Sequence, residues 1–484
     1  MRQRFDLQLK LGQTPISEIY INPKSKNALD QLIAALKEIY CNAEYNNKIF
    51  SIIEKHLPSV DRGNGRPGMN LWTIFVLAQV RLCLRYSYDM LHHQANNDRL
   101  LRQLLGIENE FGIEPLVFEY QNIYDNVSNL SESMLVEIND VIVEFAHREV
   151  FKKKEDTPLR LKTDSFVVES NVHFPTDYNL LWDCARKCLD TVDYFIIKYP
   201  QIDGWRKRKD WRSEIKSLMR SVGRISSSGG KNKQEKLQKV TTLYLNKCNL
   251  LLSKLIFEKW KFPVGGKKDL EMLCALDDYI KLLIKHIDLV NRRILKGEVI
   301  PHEEKMMSIF EPYTEWIAKG KFRPSVELGK GVSITSDQFG LILLYRIMEN
   351  EQDRDIVVET ADKLLNKYKR IYSISLDKGH WNAENKSLLE LEIPFVILPK
   401  LGKRTVAEKE LEESKEFKHL KNKHSAIESN INELEHRGLD RCPDRSYFHF
   451  RTYIALGVCA YNLKKIGKKI LENQFEELIA KKIA

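Results

Sequence analysis

Two periods alternate in the apolar positions of the chain, and the changes between them divide it. Leu29, Leu32, Ile33, Leu36, Ile39 and Tyr40 recur at helical spacing between Asn27 and Cys41. Leu71 to Leu84 is almost continuously apolar behind Asn70, which predicts a capped helix in the core of a bundle. A turn-rich basic loop is expected at 61–68, and further helices at 88–105 and 131–151. The pattern turns β-rich over 159–174, closed by Pro175. It is helical again from 177 to about 300, with helices expected at 180–197, 205–222, 234–260 and 270–295, the second and third separated by Ser226–Gly230. Strands return at 326–335 and 341–348, joined by a turn at 336–340. A helix is expected at 355–368, a strand at 371–376, a helix at 382–391 and a strand at 393–398. The charged stretch 406–437 reads as a helix whose inner stripe is Ile427, Ile431 and Leu434, and 453–466 as a last apolar helix.

Composition narrows the class. Lys and Arg outnumber Asp and Glu by 77 to 67, a formal net charge of +10, which leans towards a polyanionic partner if the excess is clustered. It is clustered. Arg206, Lys207, Arg208, Lys209, Arg212, Lys216, Arg220, Arg224, Lys231, Lys233, Lys236 and Lys239 face only Asp210, Glu214 and Glu235 in the same span, with Trp205 and Trp211 among them. Contact with a nucleic-acid backbone is the functional reading of that run; a solvated helix face is the structural one. The N-terminal helices are a candidate DNA-binding bundle or a purely structural one. The eight cysteines include no CxxC pair, and reduced thiols are expected. The longest apolar run, Leu71–Val80, is too short to span a bilayer, so a cytoplasmic protein without a membrane partner is expected.

Three carboxylates stand out by context. Asp377 follows the aliphatic run Ile371–Leu376 directly, at the rim of a sheet, where α/β proteins place their chemistry; a turn former is the plain alternative. Asp164 lies inside the first strand, on the same face as Phe166 and Val168, where a carboxylate is costly unless paired or bound to metal. Glu428 borders the apolar stripe of the late helix, with His424 one turn before it and Asn432 one turn after. Such a set suits hard divalent cations that keep open positions for water and phosphate.

The segments Thr163–Asp177, Leu180–Asp183, Thr314–Ile317, Ser375–Gly379, His424–Glu435 and Gly438–Asp444 resemble, together and in order, those of bacterial insertion-sequence transposases of the DDE type, in the ISNCY-like subgroup. The resemblance runs from about residue 60 to near the C-terminus. It implies an α/β fold: an RNase H-like mixed-sheet core at 156–176 and 301–484, an N-terminal helical DNA-binding domain at 1–155, and a large helical insertion at 177–300. In such cores the first acid lies on the first strand, the second just after the fourth, and the third on a later helix. Asp164, Asp377 and Glu428 match those places as catalytic and metal-binding residues. The resemblance further implies Mg²⁺, with Mn²⁺ as a substitute, and cleavage of transposon-end DNA followed by transfer to target DNA. A homo-oligomer on double-stranded DNA, associated with the bacterial nucleoid, is expected. The expected DNA contacts are Arg206, Lys207, Arg208, Lys209, Arg212, Lys216, Arg220, Lys378 and His424. The chain departs from many related transposases in having His424 where they carry an Arg. Glu433 and Glu435 compete with Glu428; Glu169, Asp177 and Asp183 compete with Asp164. Two other classes share the pattern: a DNA-binding relative without catalysis, and an RNase H-like nuclease that does not join strands.

Overall fold

The computed structural model describes residues 3–5, 12–57, 68–108, 116–318, 326–400 and 402–483, and the basic loop expected at 61–68 falls outside them except for Gly68. The chain forms two compact units, one from Met1–Asn171 with Ile317–Ala484 and one from Val172–Trp316. The helices of the expected N-terminal domain share a unit with the sheet. No described helix is long and apolar enough to cross a membrane.

The first unit opens with helices α1 (Ala28–Cys41), α2 (Ala43–His56), α3 (Leu71–Cys83), α4 (Tyr88–Asn97), α5 (Arg99–Leu104), α6 (Tyr120–Val127) and α7 (Glu132–Phe145). All but α6 start behind an Asn, Ser or Asp whose side chain accepts a backbone N–H of the first turn, as Asn70 does from Thr73 at 2.7 Å. Every residue of α3 is buried, including Arg81, whose guanidinium donates to both carboxylate oxygens of Asp444 at 2.7 and 2.9 Å.

The strands are β1 (Leu159–Glu169), β2 (Glu315–Ala318), β3 (Val326–Ser336), β4 (Ile342–Ile347), β5 (Ile371–Leu376) and β6 (Phe395–Ile397). They form a six-stranded sheet in the order β2-β3-β1-β5-β6, with β4 also on β3. β1 is antiparallel to β3 and parallel to β5, β3 is antiparallel to β4, and β5 is parallel to β6. The expected α/β class is therefore present, as a mixed sheet. Between and after these strands run α8 (Asp177–Lys198), α9 (Arg208–Ser227), α10 (Lys233–Glu258), α11 (Lys267–Val290), α12 (Val357–Lys367), α13 (Ala383–Glu392), α14 (Val406–Glu413), α15 (Lys415–Leu434) and α16 (Tyr447–Ile483).

α1, α3 and α7 pack on α16. A Cβ at Gly467 would stand 1.6 Å from the carbonyl oxygen of Gln31, so the backbones of α16 and α1 touch where only glycine fits. The outer backbone of β4 is satisfied by side chains: Asn462 accepts from Ile342 N at 2.9 Å and donates to Ile342 O at 2.9 Å, and Asn139 donates to the same oxygen at 3.2 Å. Asp337, fully buried after β3, accepts from Phe339 N, Leu341 N and His147 Nε2 at 2.8, 3.0 and 2.6 Å.

Several elements differ from the reading of the sequence; the helix expected at 88–105 breaks at Asp98 into α4 and α5, and a strand not expected, β2, precedes β3. β1 ends at Glu169 rather than near Pro175, because the backbone of Glu169 turns to Asp440 O and Cys442 N. The helix expected at 406–437 breaks at Ser414, which leaves helical geometry and caps α15 by accepting from Phe417 N at 3.3 Å. The last helix is 37 residues long, extending beyond the apolar run through Lys-, Glu- and Leu-rich turns of high helix propensity.

In the second unit, α8 to α11 enclose a core that includes Leu189, Phe195, Tyr244, Leu251, Leu276 and Leu283. Trp205 belongs to that core at 3% exposure and Trp211 packs against it. Lys254 lies over both rings, 5.0 Å from Trp205 and 6.0 Å from Trp211. The two tryptophans that interleave with the basic run in sequence thus hold α9 onto α10.

Candidate active site

The site is built on the parallel pair at the centre of the sheet. Thr163 of β1 stands opposite Leu376 of β5, the last residue of its strand. Asp164 and Asp377 each follow one position later, which brings them side by side where β5 ends and β1 continues. Neighbouring strands lie about 4.8 Å apart, so two carboxylates at this register feel each other. Successive side chains alternate between faces, so Lys162 and Asp164 share a face with Ser336, opposite Lys162 on β3. α15 covers that face: Asn430 Nδ2 donates to Ser336 Oγ at 3.1 Å.

Each aspartate uses one oxygen. Asp164 Oδ1 accepts from Ser165 N at 2.8 Å. Asp377 Oδ1 accepts from Gly379 N at 2.9 Å, His380 N at 3.3 Å and His380 Nδ1 at 2.5 Å. Asp377 is thus the cap of the short turn Lys378–His380, as a turn former would be, and still keeps its second oxygen. Neither Oδ2 has a hydrogen-bond partner among the described residues.

Their surroundings push the two apart. Burial raises the Asp164 carboxyl to about 6; Ser165 N opposes this, Asp377 and Asp353 add to it as like charges, and His380 acts against it. Burial also acts to raise Asp377, but the hydrogen bond and charge of His380, with the two backbone N–H groups, outweigh it and hold the group below the usual aspartate range. Two adjacent carboxylates of unequal proton affinity are characteristic of sites that do chemistry.

Glu428 sits on the exposed side of α15, next to Ile427, which is fully buried. It is not among the principal charges acting on Asp164 or Asp377, but it does act on His424, one turn earlier. His424 is half-buried, and neither ring nitrogen has a hydrogen-bond partner among the described residues. Burial lowers its proton affinity, with Asp377 and Glu428 opposing and His380 and Lys162 assisting. Glu433 is ion-paired with Lys464 of α16, and Glu435 lies in the turn beyond α15. Glu169 takes part in the backbone pairing with 440–442, Asp177 is paired with Arg293 at 2.7 Å, and Asp183 lies within α8. Lys378 is exposed in the turn after Asp377.

Two residues of this neighbourhood were not anticipated. His380 is fully buried, and its Nε2 has no hydrogen-bond partner among the described residues. Its spacing of three residues from a strand-end Asp is the spacing of a cap to the group it holds, which was a usable signal. Asp353 comes from the turn after β4; a Cβ at Gly379 would lie 3.3 Å from Asp353 Oδ2 and 3.2 Å from Asp377 Oδ1. Nothing local in the sequence marks Asp353.

Among the described residues no group of three or more His, Cys, Asp or Glu side chains is arranged to hold a metal ion. The geometry offers two neighbouring carboxylates with a free oxygen each. That donor set fits a hard cation such as Mg²⁺, which binds through one or two carboxylates and keeps waters for a phosphate to replace.

The basic run lies in the second unit. Arg208 and Arg212 are engaged internally, Arg208 with Asp193 at 2.5 Å and Arg212 with Asp190 and Asp193 at 2.7 and 2.8 Å. Arg206 and Lys207 are exposed in the turn before α9. Lys209, Lys216, Arg220 and Arg224 are exposed and fall on one face of α9, spaced seven, four and four residues apart. No protein-family model matches the chain, and no curated protein or solved structure matches it.

Proposed function

We propose that the chain is a transposase of the DDE type, which cuts transposon-end DNA and joins it to target DNA with Mg²⁺, or Mn²⁺ in its place. The observation that carries this reading is the pairing of Asp164, within β1, with Asp377, one residue past the end of the neighbouring parallel strand. With the short β2 set aside, the first acid is on the first strand, the second follows the fourth, and Glu428 is on a later helix. That is the arrangement an RNase H-like core implies, and the sheet, antiparallel on one side of β1 and parallel on the other, is consistent with it.

Asp164 and Asp377 would hold the cation, with Glu428 of α15 as the third acid of the set. Bound there, a divalent ion would supply the positive charge that phosphodiester chemistry needs at its attacking and leaving oxygens. Lys378 and His424 flank the acids on the DNA side. The exposed face of α9, with Arg206 and Lys207, contacts phosphates without reading sequence. The protein works as a homo-oligomer on double-stranded DNA, in the bacterial cytoplasm at the nucleoid.

The test is to incubate purified protein with candidate end DNA and Mg²⁺ or Mn²⁺. Nicked and joined products are expected. Nicks without joining would make the chain a nuclease, and binding with neither product would make it a non-catalytic relative.

A further inference from the structure

The pair Asp377–His380 carries an inference about how the candidate site is held, and it rests on the cation-binding reading above. Three donors converge on Asp377 Oδ1: Gly379 N, His380 N and His380 Nδ1. The shortest, at 2.5 Å, comes from a ring that is fully withdrawn from solvent, while the Asp377 side chain is 46% exposed. An exposed aspartate is free to turn about its side-chain bonds; one oxygen tied to a buried ring and two backbone N–H groups is not. Gly379 completes the restraint, since any side chain there would crowd Asp377 Oδ1 at 3.2 Å and Asp353 Oδ2 at 3.3 Å. The turn therefore closes tightly on one oxygen and leaves the other open.

We propose that His380 is a positioning residue: it fixes Asp377 by binding Oδ1, so that Oδ2 alone is presented to a hard divalent cation shared with Asp164. Partners of this kind, which orient a ligating carboxylate, typically change metal affinity by roughly 10- to 100-fold when removed. His380 touches neither cation nor DNA in this arrangement. Its loss weakens cation binding and leaves the rate at saturating cation largely intact.

The experiment uses the full chain and Mn²⁺ alone as probe, with free Mn²⁺ followed by its electron paramagnetic resonance signal. Asp377→Asn is the control and loses binding. His380→Phe keeps a ring in the buried space and removes the donor; its Mn²⁺ affinity falls by about 10-fold or more. His380→Asn places an amide N–H near the position of Nδ1 and recovers most of that loss, whereas His380→Gln, which reaches towards the position of Nε2, does not. In plasmid nicking, the Mg²⁺ concentration for half-maximal rate shifts by the same factor. Wild-type Mn²⁺ affinity in His380→Phe, beside lost binding in Asp377→Asn, would overturn the positioning role and leave the cation site standing. Wild-type affinity in Asp377→Asn would instead remove the cation site itself. If His380→Phe does not fold, the Asn and Gln variants decide, and equal affinity in the two would overturn the proposal.

Discussion

Asp269 in the second unit and Asp164 in the first are carboxylates withdrawn from water, and their surroundings treat them in opposite ways. Asp269 is fully buried, and four donors meet it: Tyr194 and Lys198 on Oδ1 at 2.7 and 2.6 Å, Tyr199 and Gly265 N on Oδ2 at 2.6 and 2.9 Å. The hydrogen bonds of Lys198 and Tyr199 hold it far below the usual carboxylate range. Asp164 has one backbone N–H and two like-charged neighbours, and its carboxyl rises to about 6. A carboxylate saturated with donors is finished as a structural part. One left with a free oxygen beside other acids is unfavourable until something positive arrives. That difference separates a candidate site from an internal brace more sharply than burial does.

The contrast can be broken most forcefully at the first unit. Asp377→Asn and Glu428→Gln should each reduce Mg²⁺-dependent DNA cleavage on the order of 10³-fold, the scale of removing a group at the reacting centre. Gel-shift affinity for the same DNA should stay near wild type. At Asp269, in the second unit, the expected effect is on stability alone. Asp269→Ala leaves Lys198, Tyr194 and Tyr199 without their acceptor, and the thermal midpoint of unfolding should fall by several degrees.

His286 sharpens the comparison from the other side, as a fully buried group with no hydrogen-bond partner at either ring nitrogen among the described residues. Burial lowers it to about 4. A depressed base contributes stability that is present above its unfolded value near 6.5 and lost as pH falls through 4. Urea unfolding should therefore show a loss of up to about 3 kcal/mol between those pH values, and His286→Leu should flatten the curve. The smallest expected effect is on DNA affinity. Replacing Lys209, Lys216 and Arg220 together by Ala should flatten the plot of log affinity against log salt by up to about 2.7. Replacing Arg208 and Arg212 should loosen α9 from α8 instead, because their charges already meet Asp190 and Asp193.

Much of the frame was legible because its signals are local. The strand Ile371–Leu376, the cap at Asn70 and the stripe Ile427, Ile431 and Leu434 each depend on residues within a turn or two, and each stands in the structure as read. The candidate acids were legible for the same reason, as contexts rather than contacts. What escaped depends on residues distant in sequence. The inward role of Trp205 and Trp211 is not visible locally, because their partner, Lys254, is more than 40 residues away on α10. Arg208 and Arg212 looked free because the acids opposing them lie on α8. Asp353 reaches Gly379 from the turn after β4, which no periodicity foretells.

If Asp164 is held ready for a cation rather than for the fold, Asp164→Asn and wild type must differ in two ways at once. A carboxyl raised to about 6 contributes stability that is full below its unfolded value near 4 and lost as pH rises through 6. The neutral amide should therefore make the protein more stable at pH 7, by about 1 kcal/mol after allowance for partial exposure. The measurement is Mg²⁺-dependent nicking of plasmid DNA, with thermal unfolding recorded on the same samples. The expected variant unfolds at a higher temperature, still binds DNA and makes no nick. Nicking at the wild-type rate, or a variant less stable than wild type at pH 7, would contradict that role for Asp164.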